Sequence, residues 1–241
     1  PNADLWTEEW TALSFYGYTP NPSALAACDC ATDGPIGGGK PVKQINDSFD
    51  ATNLTYLHND TVYELTSGVY VDSGHALIVA PGTIIKGDTG TLSNAKYLFV
   101  VRGAKAFFNG ADCCPIIMTS INDDVDDPLD IPLTAASKGQ WGGLVLSGFA
   151  RVNLVAGTGN AEGISPAPRT VYGGTDDDDN SGSYRFVSIR YPGIALSANN
   201  EINGMTFYGV GRQTRVDHIE VFFSADDDYE WFGGTVNAKY L

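Results

Sequence analysis

Short apolar runs held between glycine turns are the feature that most limits what this chain can fold into. Ala76-Leu77-Ile78-Val79 lies between Ser73-Gly74 and Pro81-Gly82, and the run 104–108 lies between Arg102-Gly103 and Asn109-Gly110. Runs this short, rich in β-branched and aromatic residues, have the length of strands and not of helices. The pattern predicts strands over 69–71, 76–79, 83–85, 97–101, 104–108 and 116–119, with later ones over 143–146, 184–189, 202–208 and 216–223. The segments SGHALIVAPGT (73–83) and RGAKAFFNGA (102–111) echo one another. Strands joined by turns and recurring every ~20 to 30 residues form either a β-sandwich or a parallel β-solenoid. A sandwich needs repeated hairpin signals, and Asn109-Gly110 is the one Asn-Gly at a tight turn between these expected strands. The pattern therefore favours the solenoid.

Composition supports an all-β chain. The 29 acidic residues divide into 22 Asp and 7 Glu, alongside 28 Gly and 12 Pro. Asp, Gly and Pro belong to turns and Glu to helices, so a helical bundle is excluded. With 14 basic residues the net charge is −15, which lacks the basic footprint a nucleic-acid partner requires. No apolar run approaches the roughly 20 residues of a membrane span. No basic and apolar leader stands at Pro1, so a signal peptide is expected to have been removed or never included. The 241 residues suffice for one large domain or two small ones.

Residues 1–66 differ in texture. A short helix is expected over 4–13 (DLWTEEWTAL), with Trp6 and Trp10 on one face, followed by a Gly- and Pro-rich loop over 20–41. The expected organisation is thus an irregular N-terminal arm over 1–66 and solenoid coils over 67–241. The cysteines form two tight pairs, Cys28 with Cys30 and Cys113 with Cys114. Neither pair has zinc or thioredoxin spacing, and bridging within a pair is strained. The expectation is two disulfides between the pairs, in an oxidising compartment; four free thiols are the alternative. Three Asn-x-Ser/Thr sequons at Asn46, Asn53 and Asn59 are candidate glycosylation sites on a polar stretch.

The segment 172–241, which contains EINGMTFYGVG and DHIEVFFSADDDYEWFGGTVNAKYL, resembles a family of bacterial secreted or surface proteins with a right-handed parallel β-helix. APGTIIKG at 80–87 and GQWGGLVLSG at 139–148 match the same pattern in order. The resemblance covers roughly 68–241. It implies a pectin-lyase-like solenoid and an exported, cell-surface location, and no settled activity. Family members run on beyond WFGGTVNAKYL, so the chain is expected either to be a fragment or to have its last coil covered by another subunit. The second case would give end-to-end assembly with itself or with neighbouring surface proteins.

Three acidic clusters are candidate sites: Asp123, Asp124, Asp126, Asp127 and Asp130; Asp176, Asp177, Asp178 and Asp179 beside Asn180; and Asp226, Asp227 and Asp228 with Glu230. Carboxylates crowded into one turn repel unless a cation screens them, and hard oxygen ligands in a flexible loop suit Ca²⁺. Solvated acidic turns are the plain alternative. The best calcium candidates are Asp176 to Asp179 and Asp226 to Asp228. In the third cluster Asp227 and Asp228 form a candidate general-acid pair, with Asp217 and His218 one strand earlier. The Gly-His-Gly and Arg-x-Lys motifs of polygalacturonases are absent, and no Arg or Lys stands beside an acid cluster in a lyase-like pattern. His58, His75 and His218 lack metal-ligand spacing, and no nucleophile or phosphate-loop motif is present. The aromatics are expected to fill the solenoid core, with Tyr229 and Trp231 as candidates for a sugar-stacking platform. Together these observations favour a non-catalytic extracellular structural or adhesive β-helix. A carbohydrate-binding or polysaccharide-cleaving β-helix that uses the 226–230 turn is the alternative.

Overall fold

The computed structural model describes residues 39–47, 54–90, 94–112, 114–125, 133–197 and 200–241. Strand β1 (Val42–Ile45) precedes a run of coils, each bent at turns. The first coil contains β2 (Leu54–Leu57), β3 (Val62–Leu65) and β4 (Gly68–Val71). The next contains β5 (Ala76–Val79), β6 (Ile84–Gly87) and β7 (Tyr97–Val100), and the third β8 (Lys105–Asn109), β9 (Ile116–Ser120) and β10 (Gly143–Ser147). After a small hairpin of β11 (Gly159–Asn160) and β12 (Val171–Tyr172), the nine-residue β13 (Gly182–Arg190) runs through two legs of its coil. A second hairpin, β14 (Ile194–Ser197) with β15 (Asn200–Ile202), leads to β16 (Met205–Tyr208). The chain closes with β17 (Arg215–Phe222), β18 (Tyr229–Phe232) and β19 (Asn237–Lys239).

Every strand pair between coils is parallel, which builds three faces. The first face stacks β2, β5, β8, the start of β13, the start of β17, and β19. The second stacks β1, β3, β6, β9, the end of β13 and the end of β17. The third stacks β4, β7, β10, β16 and β18. This is a parallel β-helix, as the turn-punctuated pattern predicts. Among the described residues no helix is long and apolar enough to cross a membrane.

The coils hold because equivalent positions stack without slippage. On the first face Leu57, Val79, Phe108, Tyr184, Val216 and Ala238 form one inward column. On the second, Tyr63, Ile85, Met118, Ile189 and Val221 do the same. On the third, Val71, Val100, Leu146, Phe207 and Trp231 follow one another. Phe108 and Tyr184 stack with ring centres 5.6 Å apart, and Phe207 and Trp231 at 5.2 Å. Alternation then sends the neighbours of these residues outward, so a slip of one residue would invert every face. Glycine is required where legs crowd: a Cβ on Gly182 would meet the Ala106 carbonyl oxygen at 1.9 Å.

The structure moves the expected boundary at residue 66. Strands β1, β2 and β3 already pair in register with later coils, so the solenoid includes Val42–Ile45 and Leu54–Leu65. Two features hid them: the polar first strand VKQI and the sequons on either side of β2. The expected helix over 4–13 and most of the loop over 20–41 lie outside the described residues. The expected strand over 202–208 is divided by Asn203-Gly204, with its first residue in an antiparallel hairpin and only Met205–Tyr208 in the stack.

Two of the outer faces carry a cover. On the second face the outward column Val62, Ile84 and Ile117 packs under Val125, and Leu133 packs against Tyr191 and Phe222. On the third face Tyr70, Tyr97, Phe99, Val145 and Tyr208 pack under Ala161, Tyr172 and Ile202, from the excursion at 149–181 and the second hairpin. Two adjacent residues test this assignment of faces. Phe108→Ala, which empties an inward position, should cost about 3–5 kcal/mol in equilibrium denaturation, whereas Phe107→Ala on the outer side should cost less than about 1 kcal/mol. Equal losses would contradict the register.

Candidate functional site

Among the described residues nothing covers the first face. Its outward column begins with Tyr56, Ile78 and Phe107 and continues as Ser183, Arg215 and Asn237. Tyr56 is exposed and stacks on His58 with ring centres 5.1 Å apart. A second outward column reads Asn109, Arg185, Asp217 and Lys239. An apolar, aromatic start thus passes into a charged end along one open surface.

Asp217 organises that end. Its side chain is only 1% exposed and accepts bonds from Arg185 Nε at 3.0 Å and Arg215 Nε at 2.6 Å, with His218 Nδ1 at 2.8 Å. Burial alone would raise its pKa, but the bonds from His218, Arg215 and Arg185 outweigh burial and bring it down to about 2. The carboxylate stays ionised and holds both guanidinium groups at the surface. Arg212, Gln213, Thr214, Arg215, Asn237 and Lys239 line a groove beside it.

His218 belongs to a ladder at the bend between the first two faces. Phe186, His218 and Tyr240 occupy this bend in successive coils, all with positive φ (48°, 56° and 57°). Their rings stack at 4.4 and 4.5 Å between centres. For non-glycine residues this backbone is costly, and the stacking in adjacent coils offsets that cost.

The 226–230 turn lies on a different face. Asp226, Asp227 and Asp228 are exposed, and the Asp228 carboxyl is pushed up by partial burial and then by the charge of Asp227. The carboxyl most displaced in this turn is Glu230. Burial raises its pKa to about 7, helped by the charges of Glu162, Asp227, Asp226 and Glu201. Asn203 Nδ2 donates a short hydrogen bond to Glu230 Oε2, and Asn203 Oδ1 accepts from the Asp227 amide at 3.2 Å. Tyr229 and Trp231 continue the inward columns, where Tyr229 OH donates to the Ile219 carbonyl at 2.7 Å and Trp231 stacks on Phe207. Tyr229 packs against the core, whereas Trp231 keeps 45% of its surface exposed. On the first face the outward aromatics are Tyr56 and Phe107.

The 176–179 turn is tied into the fold. Asp177 pairs with Arg151 at 3.1 Å and Arg212 at 3.5 Å, and Asp178 pairs with Arg212 at 3.1 Å. Asp179 Oδ2 accepts the Phe149 amide at 3.1 Å, and Asp176 accepts the Asp178 amide at the same distance. In the first cluster Asp123 is buried and accepts from Thr119 at 2.7 Å, while Asp126, Asp127 and Asp130 lie outside the described residues. Among the described residues no three His, Cys, Asp or Glu side chains converge in a metal-ligating group. Cys114 is buried, whereas Cys28, Cys30 and Cys113 lie outside the described residues, so the expected disulfides stay a proposal. Asn46 is exposed, Asn59 Nδ2 donates to the Pro81 carbonyl at 2.9 Å, and Asn53 lies outside the described residues.

Sequence reasoning singled out Asp217, His218 and the 226–230 turn but missed Arg185, Arg215 and Lys239. Arg185 and Lys239 lie 32 and 22 residues from Asp217 and meet it because the three occupy equivalent positions in successive coils, while Arg215 stands two residues before Asp217 on the same strand. A spacing equal to one coil is the signal that could have found them. Asp217→Asn tests the cluster. Because the folded pKa of Asp217 is depressed, its contribution is present above about pH 4 and lost as pH falls towards 2. At pH 7 the variant should lose about 2 kcal/mol, and the difference from the parent protein should vanish at about pH 2. A pH-independent difference would refute this account.

Comparison with known proteins matches residues 49–241 to the family model described as a pectate-lyase-like β-helix domain. No curated protein and no solved structure matches the chain. The matched segment spans the stacked coils from β2 to the last strand, and the chain belongs to the pectate-lyase-like β-helix domain family.

Proposed function

We propose that this protein is an exported, surface-located β-helix that holds an anionic polysaccharide along its open first face, acting as an adhesive or scaffolding element and not as a cleaving enzyme. The observation that carries this reading is the groove in which Arg212, Arg215 and Lys239 gather on a chain of net charge −15. Cations concentrated on one surface of an acidic protein select for negative charge against the field of the rest of the molecule. The aromatic start of the same face, Tyr56 and Phe107, offers ring faces on which sugar rings stack. Family membership supports a glycan as the ligand class.

The preference for binding over cleavage rests on where the reactive groups lie. Arg185 and Arg215 are engaged by Asp217, which suits them to positioning a carboxylate. The most displaced carboxyl, Glu230, is on the third face, away from the groove. A cleaving site needs acid, base and substrate carboxylate within hydrogen-bond reach of one another.

Calorimetric titration with polygalacturonate, alginate and a neutral glucan tests this reading. Binding of the two anionic chains is expected, weakened about tenfold by the double variant Arg215→Ala, Lys239→Ala and by raising salt from about 0.05 to 0.5 M. Equal affinity for the neutral glucan would remove the electrostatic basis. Release of unsaturated uronates during the titration would replace adhesion with the cleaving alternative.

A further inference from the structure

The outward column of the third face contains a break in its own rule. Tyr70, Phe99 and Val145 occupy equivalent outward positions in successive coils, and the column then continues as Thr206 and Glu230. The first three are buried under the excursion at 149–181 and its neighbours, where apolar side chains satisfy every demand of packing. Thr206 is just as buried, at 1% exposure, and its Oγ1 is a buried side-chain polar atom without a hydrogen-bond partner. Valine has the same shape and the same strand preference, so a buried hydroxyl here costs stability with no return within the fold. An unsatisfied group of this kind in an otherwise regular column points to a missing ligand.

The surroundings indicate what that ligand is. Thr206 and Glu230 are register partners on adjacent parallel strands, about 5 Å apart, and both face outward. The Asn203 amide bonds the other carboxylate oxygen, Oε2, and fixes the orientation of Glu230. Glu162 enters from the excursion above, its amide bonded to Tyr208 OH at 3.0 Å, and Glu201 and Asp226 complete the acidic surround. None of Glu162, Glu201, Asp226 or Glu230 forms an ion pair with a described Lys, Arg or His. By contrast, Asp177, Asp178 and Asp217 each have arginine partners.

We infer that the cleft between Thr206, Glu230 and Glu162 is a calcium site, with the Thr206 hydroxyl and the Glu230 carboxylate as ligands, Glu162 as the second negative charge, and Asn203 as the residue that positions Glu230. A hard divalent cation takes hydroxyl and carboxylate oxygens together and tolerates the irregular geometry that two excursions over a sheet provide. It gives the buried hydroxyl its partner and neutralises carboxylates that no side chain neutralises. Bound there, it would fasten the excursion at 149–181 to the sheet through Glu162. This site is independent of the polysaccharide groove, which lies on the first face.

Calorimetric titration of the chelator-treated full chain with CaCl₂ at pH 8 tests the inference, with Glu230→Gln and Thr206→Val as variants. The parent protein should bind with a dissociation constant below about 1 mM, Glu230→Gln should weaken binding at least about tenfold, and Thr206→Val should weaken it about threefold or more. Without calcium both variants should melt at or above the parent temperature, because one loses a repelling charge and the other an unsatisfied hydroxyl; the test therefore does not depend on a fragile variant. Absence of binding to the parent protein at about 10 mM, or unchanged affinity in both variants, as occupancy of the 176–179 turn would give, overturns the assignment.

Discussion

The structure depends on coil-to-coil register. Each parallel strand pair aligns equivalent residues, so a side chain's environment is set by its neighbours one coil before and one coil after as much as by its own sequence. Inward columns of Val, Leu, Ile, Phe and Tyr bury apolar surface at every step, and a one-residue slip would bring polar residues inward on all faces together. The positive-φ ladder of Phe186, His218 and Tyr240 shows how strong this constraint is: an unfavourable backbone recurs in successive coils because the stacked rings beside it recur as well.

Function on such a scaffold is a question of which outer columns are left open. Excursions over the second and third faces convert their outward residues into secondary cores around Val125 and around Tyr172. The first face keeps its outward columns at the surface among the described residues, and there the chain gathers arginine and lysine around one buried aspartate. The protein is acidic as a whole, yet its acids are unevenly matched. Asp177, Asp178 and Asp217 sit in arginine-rich settings, whereas Glu230 feels the charge of Glu162 and neither forms an ion pair with a described Lys, Arg or His.

Much of the fold could be read from residue order. The runs at 76–79, 116–119 and 143–146 fall within observed strands because short apolar segments between glycine turns have few other options. The polar strand Val42–Ile45 was not legible, since its exposed positions carry Lys and Gln and only Ile45 is buried. Tyr229 was legible as an aromatic but not as a residue packed on the core: its orientation follows from pairing with Met205, which no local pattern states. The acidic turns were legible as clusters, but their partners Arg151 and Arg212 come from 26 and 35 residues away.

By itself the sequence determined the class of this protein: all-β, turn-punctuated, acidic and solenoid-forming. Those properties follow from composition and from short-range alternation, which act within a few residues. Tertiary structure alone decided which carboxylates are paired, which aromatics face solvent and where cations meet on one surface. Each of these is a contact between coils, set by register and by the excursions that cover two faces and leave the first open. The buried Thr206 hydroxyl is the clearest case: in the sequence it is one more β-branched residue in a strand, and only the column of Tyr70, Phe99 and Val145 beside it makes the hydroxyl an exception.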